Sequence, residues 1–85
     1  MMELQRPLGS VETPALLVDL DLMEANIRRW QAVFDDAGVA FRPHVKTHKS
    51  PAIAACQLAA GAIGLAVAKV AEAEVFAAAG CRDLA

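Results

Sequence analysis

Three uninterrupted apolar runs, each followed by a segment carrying helix signals, recur along this 85-residue chain at a period in the low twenties of residues. They are Ala15-Leu16-Leu17-Val18, then Val39-Ala40-Phe41 leading through Arg42-Pro43-His44-Val45-Lys46, then Ala62-Ile63-Gly64-Leu65-Ala66-Val67. Arg82-Asp83-Leu84-Ala85 begins a fourth. A run without polar alternation is what a strand covered on both faces requires, and that is the condition of a parallel sheet. Parallel neighbours need right-handed crossovers, so a strand–helix repeat of this length leaves few topologies open. A closed eight-fold barrel takes about 250 residues. The expected class is therefore α/β, a partial (β/α)8 TIM barrel holding the first three βα units and the start of a fourth strand, with residues 1–12 as a lead-in and 13–85 as the N-terminal part of the barrel. A doubly wound sheet is the alternative. Its first turn here, Val18-Asp19-Leu20-Asp21, contains no glycine, so no dinucleotide-binding turn is present, and no Walker A pattern occurs.

The helices are punctuated clearly. Asp21 is expected to cap the first, with Glu24 three residues on, and Met23, Ile27, Trp30, Phe34 and Ala37 step along one face to a stop at Gly38. Met23, Trp30 and Phe34 read as packing residues. Ser50-Pro51 is a strong start for the second, which should run through Ile53, Cys56 and Ala60 to Gly61. The third should span Lys69 to Ala79, closed by Gly80. Pro43 is unusual inside a central strand, because it brings no N–H to the ladder. Alanine occupies 19 positions, 13 of them between Ala52 and Ala79, which favours helix but supplies little core volume. Such a chain needs neighbours, and by itself is expected to be poorly stable and catalytically inert.

Charge narrows the function classes. A net charge of -2 argues against a general nucleic-acid binder or a protein drawn to anionic membranes, and no aromatic interleaving for base stacking accompanies the basic residues. Met1 to Ser10 lacks the apolar stretch of a signal peptide, and Gly61, Gly64 and Lys69 interrupt the alanine-rich half well short of a membrane span. Cys56 and Cys81 fit neither a zinc ribbon nor a disulfide framework. A cytoplasmic location is expected.

The basic residues are unevenly placed: Arg42, Lys46 and Lys49 fall within eight residues that also hold His44 and His48. On an extended backbone Arg42, His44, Lys46 and His48 share one face, and burying four such groups unpaired would cost several kcal/mol per ion. The face must reach solvent or an anionic ligand. Lys46 stands at the C-terminal end of its strand, where barrel enzymes place catalytic groups. Cationic neighbours disfavour its ammonium form and leave more amine to attack an aldehyde. The plain alternative is a solvated surface lysine. A metal pair at His44 and His48 needs a helix, which Pro43, Val45 and Thr47 disfavour, and no third ligand is nearby. An anion-binding strand, with the helix start after Ser50 assisting, is a further reading. Lys69 reads as a first-turn helix residue.

Arg42-Pro43-His44-Val45-Lys46-Thr47-His48-Lys49 resembles the lysine segment of the D-threonine aldolase and D-serine dehydratase family, the alanine-racemase-like, fold-type III pyridoxal-phosphate enzymes. Thr13-Pro14-Ala15-Leu16-Leu17-Val18-Asp19-Leu20-Asp21 with Asn26-Ile27, and Gly61-Ala62-Ile63-Gly64 with Ala68-Lys69-Val70-Ala71-Glu72-Ala73-Glu74, resemble its first and third units. The likeness covers nearly everything after residue 12. It implies a lyase acting on small D-configured β-hydroxy amino acids, with Lys46 forming the Schiff base to pyridoxal 5'-phosphate and His44 and Arg42 beside the cofactor. A racemase or a non-catalytic cofactor-binding protein of the same fold is the alternative within the family. The resemblance also implies a divalent metal and a possible homodimer in the full-length enzymes, while the metal ligands and most phosphate-binding groups belong to segments that this sequence does not include.

Overall fold

The computed structural model describes residues 8–85, so the first seven residues of the expected lead-in lie outside the described residues. A 3-10 turn at Leu8–Ser10 precedes three α-helices: α1 (Leu20–Ala37), α2 (Pro51–Ala59) and α3 (Val70–Ala78). Each starts and stops for a local reason. Asp19, not Asp21, caps α1: its carboxylate accepts the Leu22 N–H at 3.1 Å, while Asp21 sits in the first turn. Gly38 ends α1 at φ 69, a left-handed conformation that glycine reaches without a Cβ penalty. Ser50 caps α2 through its hydroxyl, with Pro51 at the first helical position. Lys69 precedes α3 without a side-chain cap bond.

Between the helices the chain is extended, and its pairing is parallel as the apolar runs require. The third run lies in the middle. On one side His44 bridges Ala66, and on the other Leu65 bridges Leu84, so the second and fourth runs each meet the third through a single isolated parallel bridge. The ladder around Leu65 is regular, with Leu65 N–H donating to the Asp83 carbonyl and Ala85 N–H to the Leu65 carbonyl, both at 2.9 Å. The ladder on the other side slips. Ile63 N–H donates to Phe41 O and Ala66 N–H to Pro43 O, so the third run advances one residue more than the second between successive bonds. Pro43, itself buried, offers no N–H to fill the step, and only an isolated bridge forms.

The first run departs from expectation. Residues 15–18 adopt no strand, and Leu16 and Leu17 are 97% and 66% exposed. No strand flanks them among the described residues, so neither face is covered. The core instead sits where α2 and α3 lie over the third run: Val45, Ala54, Leu65 and Phe76 are buried, with Leu58, Val67, Cys81 and Leu84 packed around them. The apolar stripe of α1 is shifted as well. Met23, Ile27 and Phe34 are half-buried, but Trp30 is 57% exposed, and Gln31 takes the inward position with its amide donating to Asp35 at 2.9 Å. Phe34 stacks on Phe41 with ring centroids 4.2 Å apart. Thus α1 is fastened by one aromatic contact and a rim of half-buried residues.

Candidate functional site

The second run delivers the basic cluster as the alternation predicts, but only as far as Lys46. Pro43 and Val45 point into the body, while Arg42, His44 and Lys46 are exposed on the opposite face. At Lys46 the backbone turns, and residues 46–48 form a turn closed by the Lys49 N–H donating to the Val45 carbonyl at 2.8 Å. His48 therefore leaves the shared face and becomes half-buried beside α2.

Both imidazoles serve the turn. His44 Nδ1 accepts the Lys46 N–H at 3.1 Å, and His48 Nδ1 accepts the Ser50 N–H at 2.9 Å. The Nε2 of His48 lies 3.1 Å from the Gln57 Oε1, which assigns the hydrogen to Nε2 and leaves Nδ1 as the acceptor. The rings thus pin the backbone before and after the lysine. Among the described residues, no three His, Cys, Asp or Glu side chains converge on a point that could hold a metal ion.

The three cations of the cluster differ in what they meet. Arg42 gives Asp83 two bonds, from Nε at 2.7 Å and from a terminal nitrogen at 3.1 Å, tying the second run to the fourth across the strand between them. The guanidinium holds the Asp83 carboxyl below the ordinary carboxylate range, and Asp83 in turn raises Arg42. Lys49 Nζ lies 3.8 Å from the buried Glu72. Among the described residues Lys46 alone of the three faces no carboxylate. The expectation that Lys46 is crowded by free positive charge is corrected accordingly, because its cationic neighbours are neutralised locally. Glu72 is the residue the sequence reading passed over. Its place in the first turn of α3 marked it only as an ordinary helix-start acid.

Two further features frame the site. Gly64 is buried against the fourth run: a Cβ there would overlap the Asp83 carbonyl oxygen and come within 2.7 Å of the Asp83 side chain. A cavity of about 150 Å³ opens between α1 and the second run, lined by Ile27, Trp30, Phe41 and Pro43 among others, away from the lysine turn. No helix among the described residues is long and apolar enough to cross a membrane.

Residues 18–84, which include every element above except the 3-10 turn, match the sequence pattern of the alanine racemase N-terminal domain. The chain belongs to that family. Within it, the chain is 51% identical over 81 residues to D-threo-3-hydroxyaspartate dehydratase from Delftia sp., covering 95% of this chain and 21% of the relative. It is 53% identical over 78 residues to D-threonine aldolase from Arthrobacter sp., covering 92% and 21%. The solved structure of the Delftia dehydratase superposes with a TM-score of 0.87 over 94% of this chain and 21% of that one. The D-threonine aldolase from Filomicrobium marinum, 45% identical, gives 0.84 over 91% and 21%. The chain therefore spans about a fifth of the length of these relatives.

Proposed function

We propose that this chain is the N-terminal part of a pyridoxal-phosphate-dependent lyase for D-configured β-hydroxy amino acids, and that Lys46 carries the cofactor. The supporting observation is the contrast within the basic cluster: Arg42 and Lys49 each meet a carboxylate, while the Lys46 amine, on a turn held by His44 and His48, meets none among the described residues. An amine with no counter-ion, on a fixed backbone, suits covalent attachment to an aldehyde. Relatives named as a dehydratase and an aldolase of β-hydroxy amino acids support the reaction class. The parallel order of the second, third and fourth runs supports residues 13–85 as the opening units of a (β/α)8 barrel. Cysteines that form no disulfide suit a cytoplasmic enzyme.

Bound pyridoxal phosphate supplies an electron sink for negative charge at the amino acid's α-carbon. This chain's own part is to hold the cofactor through the Lys46 Nζ and, once that amine is freed, to hold or return a proton at the substrate Cα. His44, beside the lysine on the exposed face, fixes its backbone and would border the cofactor. Arg42 serves the same site by locking the strand order through Asp83. The divalent ion implied for the longer enzymes does not fit these residues, since no three His, Cys, Asp or Glu side chains converge among those described.

Borohydride reduction with pyridoxal phosphate, followed by peptide mapping, tests the assignment. Pyridoxyl should accumulate on Lys46 about tenfold over Lys49 and Lys69, as expected for an amine positioned on a fixed turn, and vanish from that peptide in Lys46→Ala. Labelling spread evenly over the three lysines overturns it. Lys46→Arg should also lose the label, whereas a strand that merely grips phosphate would keep its ligand with arginine in place.

A further inference from the structure

We infer that Glu72 is a positioning residue for Lys46, its carboxylate tying the start of α3 to the turn that carries the lysine. The inference rests on the reading of Lys46 above only for its catalytic meaning, and the tie itself stands on geometry.

Glu72 is buried, and a buried carboxylate must find partners for both oxygens. One oxygen accepts the Ala68 N–H at 2.9 Å, closing the entry to a helix whose cap residue, Lys69, makes no side-chain cap bond. The other faces Lys49 Nζ at 3.8 Å, across to a turn 23 positions earlier in the chain. Lys49 is the sole non-glycine residue among those described with a left-handed backbone, at φ 51. Its amide closes the turn by bonding the Val45 carbonyl, and Lys46 lies inside that loop. A non-glycine residue holds such a conformation only when its surroundings impose it. Anchoring the Lys49 side chain therefore holds its backbone, and holding that backbone holds Lys46.

The charges agree with the geometry. The Ala68 N–H is the main cause that keeps the Glu72 carboxyl below the ordinary carboxylate range, against the effect of burial, with Lys49, His44 and Lys69 adding to it. Glu72 is thus an anion whose second oxygen is directed at Lys49. A residue that served only as a helix cap would need one oxygen and no charge.

Amide hydrogen exchange on the 85-residue chain, read by NMR with Ala54 in α2 as internal reference, separates the two roles. In Glu72→Gln the amide oxygen can still accept from Ala68, so Ala68 should stay protected while Lys49 exchanges about threefold faster, the scale of a partly exposed ion pair. In Glu72→Ala both amides should open. Lys49→Gly added to Glu72→Ala should restore protection of that turn and the share of pyridoxyl trapped on Lys46 relative to Lys69, because glycine adopts positive φ without support. If Lys49 stays protected in both single variants and only Ala68 opens, Glu72 is a helix cap and the proposal is overturned. If exchange follows expectation but wild-type labelling shows no preference for Lys46, the tie stands and the cofactor reading of Lys46 fails.

Discussion

At Lys46 the deciding fact is what the neighbouring residues are already bonded to. Arg42 is committed to Asp83 and Lys49 leans on Glu72, and the remaining amine stands apart. Residue types and their spacing made the cluster visible in the sequence, but the carboxylates that neutralise it come from residues 72 and 83, which no local pattern links to residues 42–49. Gly64 makes a similar point. Read locally it interrupts an apolar run; in space its missing side chain lets the fourth run approach. Gly64→Ala should destabilise the chain by about 1–3 kcal/mol, the cost of forcing an extra carbon into a filled space, measurable by urea unfolding. Glu72 and Asp83 both ionise more easily folded than unfolded, so the unfolded chain binds more protons across the acidic range. Their contribution is present above the ordinary carboxylate pKa and lost as pH falls through the lowered folded values. Urea midpoints should therefore drop on acidification, and Asp83→Asn combined with Glu72→Gln should flatten that drop.

Among the elements, the helices were the most legible, because caps are local chemistry. Ser50-Pro51 and Gly38 do what their side chains permit wherever they stand. Ser50→Ala should cost about 1 kcal/mol and fray α2 first, seen as faster exchange at Ile53, whose N–H the Ser50 hydroxyl accepts. The cap of α1 fell two residues earlier than the Asp21–Glu24 pairing suggests, since Asp19 and Asp21 are both competent caps and the chain entering the helix selects between them. The inward face of α1 was misjudged at Trp30 for another reason. Periodicity locates a stripe, but the width of the surface beneath decides how much of it is covered, and here that surface is mainly Phe41 and the second half of α2. The strands were legible as apolar runs and only partly as pairing, because Pro43 and the extra residue near Gly64 interrupt a ladder that composition alone would continue.

On the scale of the whole molecule, four buried hydrophobic side chains among the described residues carry the core, and a long list of apolar groups stays outside it: Leu16, Leu17, Val33, Ile63, Val70 and Val75 are all exposed. Phe76→Ala, which removes the largest buried side chain, should cost about 3–5 kcal/mol and leave little folded chain at equilibrium. Exposed apolar surface on this scale should make the isolated chain bind a hydrophobic dye and sediment as concentration-dependent assemblies, and Leu16→Lys with Leu17→Lys should reduce both. A dye-silent monomer at high concentration would show that the first run finds cover within the chain. By itself the sequence determined the order of the helices, the boundaries at Gly38 and Ser50 and the basic run ending at Lys46, because each depends on residues within a few positions of one another. Only the tertiary structure decided which cations keep a partner, which apolar runs are covered and why Gly64 and Glu72 stand where they do, because those outcomes depend on contacts between residues 19 to 41 positions apart, where burial and pairing are settled by packing.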